Sequence, residues 1–269
     1  MKLTFDTTAG NTTAGVPYKA GPQRIRILTE EWVARHGYCP RCGHDRISRY
    51  PNNKPAADFV CERCDEDFEL KSTAGRAVRQ LPDGAYATMM ERLRSARNPS
   101  LLILAYDRAD MTVVNFIAIP RHFFVPAMIT PRKPLSATAR RAGWVGCNII
   151  IGDIPDAGRI FVVRDRVARP KQEILAHWRQ TDFLRDATDL GARGWLLAIM
   201  RCIERIGPPT FTIDMVYRFE QELSTQYPAN QHVRAKIRQQ LQILREKGFL
   251  TFLGNGRYRR NQPITGSGE

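Results

Sequence analysis

The 269-residue sequence is 43% hydrophobic, enough to fill one large core or two smaller ones, and it carries 41 Lys and Arg against 27 Asp and Glu, a formal charge of +14. Charge on that scale favours a polyanionic partner, nucleic acid first; an anionic membrane would call for a Lys/Arg amphipathic helix with a Trp/Phe face, and none is present. No apolar run approaches the roughly 20 residues of a membrane span. The start, MKLTFDTTAGNTTAG, has acidic and polar residues where a signal peptide carries an apolar core, so a cytoplasmic protein is expected.

In chain order, residues 1–24 are rich in Thr, Gly and Ala without periodicity and read as a loose lead-in. ILTEEWVARHG reads as a short helix, with Thr29 as its N-cap and Glu30 and Glu31 in its first turn, delivering the chain to Cys39. DGAYATMMERLRSAR has helical spacing from Ala85 to Leu93, LLILAYDRADMTVVNFIAIP reads as a hairpin of two buried strands, and GRIFVVRD as a further strand. A second pattern begins near Asp189. There, DLGARGWLLAIMRCIERIG, TIDMVYRFEQEL and NQHVRAKIRQQLQILREKG give three helices, and FLTFLGNGRYRR gives two short strands about Gly254-Asn255-Gly256. Three helices and a hairpin make a winged helix-turn-helix. The division is expected between Arg164 and Thr188, giving a first domain over 25–183 and a winged helix over 184–269.

The six cysteines include two Cys-x-x-Cys pairs. Cys39, Cys42, Cys61 and Cys64 follow the spacing of a four-thiolate zinc ribbon, while Cys147 and Cys202 stand alone and are expected to be ordinary buried thiols. Four thiolates close a tetrahedral shell and leave no open position for substrate, so this zinc is expected to be structural. A redox role would need one pair only and would leave the other unexplained.

The second pair lies inside ADFVCERCDEDFELK. If ADFV and DFELK pair as antiparallel strands, the knuckle from Cys61 to Cys64 is their turn, and Asp58 comes near Glu69. Alternation along a strand sends Phe68 and Leu70 to the core and Glu69 and Lys71 together to the opposite face. Asp58 and Glu69, with the backbone carbonyl of Leu70, then suit a hard cation such as Mg²⁺, and Lys71 suits orienting or deprotonating water for attack on a phosphodiester. Glu-x-Lys recurs by chance, usually as a solvated strand face, so its weight here comes from its place on the ribbon hairpin of a basic protein.

RILTEEWV, YCPRCG, ADFVCERCDEDFELKS, DGAYATMMERL, RKPLSATARRAGWVGCNI and IRQQLQILREKGFLTFLGNGRYR together resemble the DpnI-like methyl-directed restriction endonucleases, in order and spacing, over nearly the whole chain after the lead-in. The resemblance implies an α+β fold: an N-terminal PD-(D/E)xK nuclease domain with a zinc-binding insert, followed by a winged helix that also reads DNA. It implies Mg²⁺-dependent cleavage of double-stranded DNA at GATC carrying N6-methyladenine, with Asp58, Glu69 and Lys71 in the catalytic positions. The proline of the nominal Pro-Asp pair is displaced, Pro55 standing three residues before Asp58. No protein partner is implied, and a monomer is expected. With a single nuclease motif per chain, a double-strand cut takes two copies or two successive visits.

The methyl of N6-methyladenine lies in the major groove. Burying one methyl is worth only about 0.8 kcal/mol, roughly fourfold, so reading one on each strand, with two domains, meets an energetic need. In the first domain the candidate reader is TARRAGWVG, with Arg140 and Arg141 for phosphate or guanine and Trp144 offering an apolar face to methyls; a core tryptophan in a structural turn is the plainer alternative. In the winged helix, Asn230, Gln231, His232, Arg234 and Lys236 are expected at the groove-entering end of the third helix, Val233, Ile237, Leu241 and Leu244 in the core, and Arg257, Arg259 and Arg260 on the wing along phosphate. Two rivals remain: a non-catalytic regulator built from a zinc ribbon and a winged helix, and an RNA-processing factor using the same parts.

Overall fold

The computed structural model describes residues 1–6, 21–51, 57–75, 79–95 and 98–262. In chain order the first part runs α1 (Gly21–His36), β1 (Ser48–Arg49), β2 (Phe59–Cys61), β3 (Glu66–Ala74), β4 (Leu81–Ala85), α2 (Tyr86–Arg94), β5 (Ser100–Asp107), β6 (Thr112–Ile119), β7 (Ile129–Pro131), β8 (Gly146–Ile149), β9 (Ile160–Arg164), β10 (Val167–Ala168) and α3 (Lys171–Arg179). Then follow α4 (Leu190–Ile206), β11 (Thr210–Thr212), α5 (Ile213–Tyr217), α6 (Glu220–Gln226), α7 (Val233–Glu246), β12 (Leu250–Gly254) and β13 (Arg257–Arg260).

A seven-stranded sheet in the order β1-β2-β3-β5-β6-β9-β10 organises the first part, and only the β3–β5 neighbours are parallel. A parallel pair needs a crossover, and β4 with α2 provides it. β5 and β6 are central and apolar on both faces, which is why the sequence shows them as continuous hydrophobic runs rather than as alternation. Leu101, Ile103, Ile117 and Ile119 point to one side, where α2, the three-stranded sheet β4-β8-β7 and α4 cover them. Leu102, Leu104, Phe116 and Ala118 point to the other, against Trp32 of α1 and Trp178 of α3. Each buried Leu, Ile or Phe among them contributes about 1.5–3 kcal/mol.

The second part is the expected winged helix. α4 and α7 pack over Leu197, Ile237, Leu241 and Leu244, and the strands form a small sheet in the order β11-β13-β12. Asn255 and Gly256 both have positive φ, the geometry of a two-residue hairpin whose twist matches its strands. Leu197, Trp195 and Ile203 of α4 belong to the same apolar cluster as Leu81, Ile129 and Ile149, and Glu204 accepts backbone N–H bonds from Asp156 and Ala157. The two parts therefore share a core.

Several local expectations are corrected. α1 starts at Gly21, not at Thr29, whose hydroxyl is buried in mid-helix and donates to the Ile25 and Arg26 carbonyls. Pro22 stands in the opening turn, and Leu28, Trp32 and Val33 supply the buried face that extends the helix. Residues 1–6 are not loose: Phe5 is buried against the sheet, Thr4 bridges to Thr112, and the Trp32 indole N–H donates to the Lys2 carbonyl. TIDMVYRFEQEL breaks into α5 and α6 where Phe219 turns to pack on the core, and β11 was unforeseen because its partner β13 lies over forty residues away.

His122, in the turn after β6, and His177, on α3, are kept neutral. Burial pushes His122 well below its usual value and His177 down to about 4, with Arg185 and Arg169 respectively adding to the effect. The unfolded chain takes up these protons near its ordinary value of 6.5 and the folded chain does not, so stability is full above that value and is lost as pH falls towards about 4. Melting measured from about pH 7 to about pH 5 is expected to decline, and His177→Gln at equal zinc content to flatten the decline; an unchanged slope in the variant would contradict the assignment.

Candidate functional site

The four cysteines converge. Cys39 and Cys64 Sγ are 3.7 Å apart, Cys42 and Cys61 Sγ 3.5 Å, and all four lie within 4.8 Å of one another. Zinc–sulfur bonds of about 2.3 Å in a tetrahedron place sulfurs about 3.8 Å apart, so the donor set fits zinc without rearrangement. Burial pushes the Cys39 thiol up and the Cys64 thiol up to about 11; a dication reverses that preference and holds them as thiolates. Among the described residues this is the only group of three or more His, Cys, Asp or Glu side chains so gathered. Cys147 and Cys202 are buried elsewhere, their thiols pushed up to about 11 and about 12 by burial.

The knuckle is the turn between β2 and β3, which pair antiparallel with Phe59 opposite Phe68 and Cys61 opposite Glu66. One residue before β2, Asp58 spans the strand beside it: its N–H donates to the Phe68 carbonyl at 2.8 Å, and its Oδ2 accepts the Leu70 N–H at 2.8 Å. Those two residues flank Glu69, so Asp58 is clamped beside it. Since N–H and C=O of one strand residue point the same way, the Leu70 carbonyl also faces the edge that Asp58 occupies. Pro55 lies outside the described residues.

Glu69 and Lys71 share a face, as alternation requires, and Lys71 Nζ is 2.5 Å from Glu69 Oε1. The structure adds residues to this face that the sequence did not reveal. Asp83 of β4 accepts from Lys71 Nζ at 2.8 Å; Arg92 of α2 reaches Asp83 at 3.3 Å and Glu69 at 3.9 Å. On the other side, Arg26 of α1 is 3.7 Å from Asp58 Oδ1. Burial raises the Glu69 carboxyl, outweighing the pull of Lys71. Burial opposes the Lys71 charge, but Glu69 and Asp83 outweigh it and raise the ammonium; burial likewise opposes ionisation of Asp83, and Lys71 overcomes it. Two carboxylates and two cations make a neutral, half-closed cluster.

Nothing local marks Asp83 or Arg92. Each is a charged residue in a stretch whose helical spacing dominates the reading, and only the crossover from β3 to β5 brings them over Lys71. Glu66 is a similar case: with 0% exposure it accepts from Ser100 Oγ at 2.7 Å and Arg185 at 2.9 Å, and Arg41 of the ribbon approaches to 3.4 Å.

The proposed DNA-reading residues occupy two exposed places. Between β7 and β8 the chain projects as a basic loop, with Arg140 and Arg141 exposed at its far side. Trp144 is half-buried, its six-membered ring lying where a side chain on Gly146 would be, with 2.8 Å to the position of a Cβ. The glycine makes the indole's seat. In the winged helix, α7 starts at Val233, so Asn230, Gln231 and His232 precede the helix they were expected to open; the Asn230 side chain accepts the His232 N–H in a local turn that takes the place of helix. Arg234 pairs with Glu220 at 2.7 Å and lies over the Tyr217 ring, whereas Lys236 is half-exposed. Arg257 and Arg259 alternate outward along β13, and Arg260 is half-buried. Val233, Ile237, Leu241 and Leu244 are buried, as helical spacing requires.

A mixed α+β domain braced by a four-cysteine ribbon and fused to a winged helix defines a DNA-acting protein in which the second domain binds the duplex. The pattern of the Dam-replacing family, DpnI, matches residues 1–187, and that of the Dam-replacing helix-turn-helix domain matches residues 191–260. The chain belongs to the DpnI family, which supports a methyl-dependent restriction nuclease. Among the described residues no helix is long and apolar enough to cross a membrane.

One zinc per chain is expected by metal analysis, and Cys61→Ser is expected to lose it together with several degrees of melting temperature, because the turn that sets Asp58 beside Glu69 would lose its clamp. Full zinc content in that variant would contradict the ribbon.

Proposed function

We propose that the protein cleaves double-stranded DNA at GATC sites carrying N6-methyladenine, using Asp58, Glu69 and Lys71. The observation that carries this reading is Asp58 clamped beside Glu69 with Lys71 next on the same face, on a strand braced by the cysteine turn, in a member of the DpnI family. Asp58, Glu69 and the Leu70 carbonyl are hard oxygen donors that suit Mg²⁺, which would supply charge neutralisation at the phosphate and a polarised water. Lys71 Nζ holds the attacking water or the phosphate oxygen in line, and Arg26 and Arg92, each already near a carboxylate of the set, add positive charge where the phosphodiester accumulates negative charge.

Recognition is divided between the parts. Trp144, seated on Gly146, presents an apolar face from the basic loop with Arg140 and Arg141 beside it, and the winged helix offers Asn230, Gln231, His232, Arg234 and Lys236 to the major groove with Arg257 and Arg259 on phosphate. Arg234 exchanges Glu220 for DNA when it binds.

The test is digestion of one GATC plasmid in fully methylated, hemimethylated and unmethylated forms, with Mg²⁺ or with EDTA. Discrete Mg²⁺-dependent fragments from methylated DNA alone are expected, and Asp58→Ala or Glu69→Ala should abolish them while binding persists. Tight binding without cleavage would leave a regulator instead, and preferential competition by RNA would leave an RNA factor. Trp144→Ala, or Gly146→Ala, which displaces the indole, is expected to lower the preference for methylated DNA by roughly fourfold per methyl read in this domain, as measured by relative cleavage rates; an unchanged ratio in both would remove Trp144 from methyl recognition.

A further inference from the structure

We propose that Asp83 is a positioning residue for Lys71, a carboxylate whose task is to hold the ammonium in place beside Glu69. The inference rests on the reading of Lys71 given above.

Three observations carry it. Asp83 is the least exposed member of the four-charge cluster, its side chain 5% exposed against 24% for Lys71, and its Oδ1 is 2.8 Å from Lys71 Nζ. Burying a carboxylate there is costly unless its partner is held in good geometry, so the pair is a fixed element and not a chance surface contact. Secondly, Asp83 pairs with Cys147 and Ala85 with Gly146, so that Gly84 is the extra residue of a β-bulge. A bulge re-aims the side chain beside it and adds local twist, and here it accompanies an acid turned onto β3. Thirdly, Glu69 has a second duty. An oxygen of Glu69 given to a cation no longer steers Lys71, whereas the side-chain partners of Asp83 are Lys71 and Arg92, with the Gly84 backbone N–H as a further donor to its carboxylate.

The same bulge faces the DNA-reading loop. β8 begins at Gly146, the seat of Trp144, and the Tyr86 N–H donates to the Val145 carbonyl just past Asp83. Asp83 thus stands between the loop and the lysine, braced by backbone bonds on one side and an ion pair on the other.

The experiment uses the full zinc-loaded chain. Asp83→Asn keeps shape and a hydrogen-bond acceptor but not the charge, and is expected to lower single-turnover cleavage of a methylated duplex ~10–100-fold while duplex affinity with Ca²⁺ in place of Mg²⁺ stays within about twofold. Asp83→Glu, which keeps the charge, should fall less than Asp83→Asn. Unchanged cleavage, affinity falling in step with rate, or a greater loss for Glu than for Asn would each overturn the proposal. With the zinc-loaded chain free of DNA and Mg²⁺, and without chelator, melting of Asp83→Asn, Lys71→Met and the double variant forms a second test: losses smaller than additive in the double variant are expected, and additive losses would overturn it. Should the unaltered protein fail to cut methylated DNA, the nuclease reading fails, while the melting cycle still decides whether Asp83 and Lys71 are coupled.

Discussion

The two-residue alternation of β3 is the constraint on which the rest of the structure depends. Phe68 points into the core, which fixes the strand's rotation; Glu69 and Lys71 must then share the opposite face, and Leu70 must turn its backbone polar groups towards Asp58. A slip of one residue would send Glu69 and Lys71 into the apolar core and Phe68 out of it. The cysteine turn opposes such a slip. By joining β2 to β3 through Cys61 and Cys64, and tying both to Cys39 and Cys42 across the ribbon, it ties the register of a short, three-residue strand that pairing alone would hold weakly.

Around that strand the protein concentrates buried charge. Glu69, Lys71, Asp83 and Arg92 form one cluster, and Glu66 with Arg41, Arg121 and Arg185 forms another three residues earlier on the same strand. Buried ion pairs repay little net stability, since desolvation consumes most of the attraction; what they provide is a defined arrangement, because removing one partner leaves the other uncompensated at about 3–5 kcal/mol. Glu66 ties the ribbon to the segment that enters the winged helix, and the apolar cluster shared by α4 and the β4-β8-β7 sheet ties the two parts again. The two parts are thereby held on one frame.

Most elements could be read from the chain itself. The hairpin of β5 and β6, the helices α2, α4 and α7, the Asn-Gly turn of the wing and the ribbon cysteines each carry their signal within one short stretch of chain, as periodicity, turn chemistry or ligand spacing. Where the reading erred, a distant partner decided the outcome. Thr29 has the chemistry of a cap, yet the helix begins about two turns earlier, at Gly21, and Leu28, Trp32 and Val33 form its buried face. Residues 1–6 have no period of their own and are ordered by Thr112 and Trp32. α5 and α6 part because Phe219 is drawn to the core, and β11 exists only because β13 offers it an edge.

The site divides in the same way. The sequence by itself determined the donor sets that lie close along the chain: four thiolates in two pairs, and Asp58, Glu69 and Lys71 on either side of a turn, since strand alternation and antiparallel pairing across a short turn are rules of local geometry. Only the tertiary structure decided what stands over them. Asp83, Arg92 and Arg26 come from a strand and two helices whose local pattern gives no reason to meet β3, and the seat of Trp144 on Gly146 depends on a close approach visible only once the loop is folded. The crossover that parallel pairing of β3 and β5 demands is what brings β4 and α2 across the face of Lys71, and no periodicity along the chain encodes where a crossover will land.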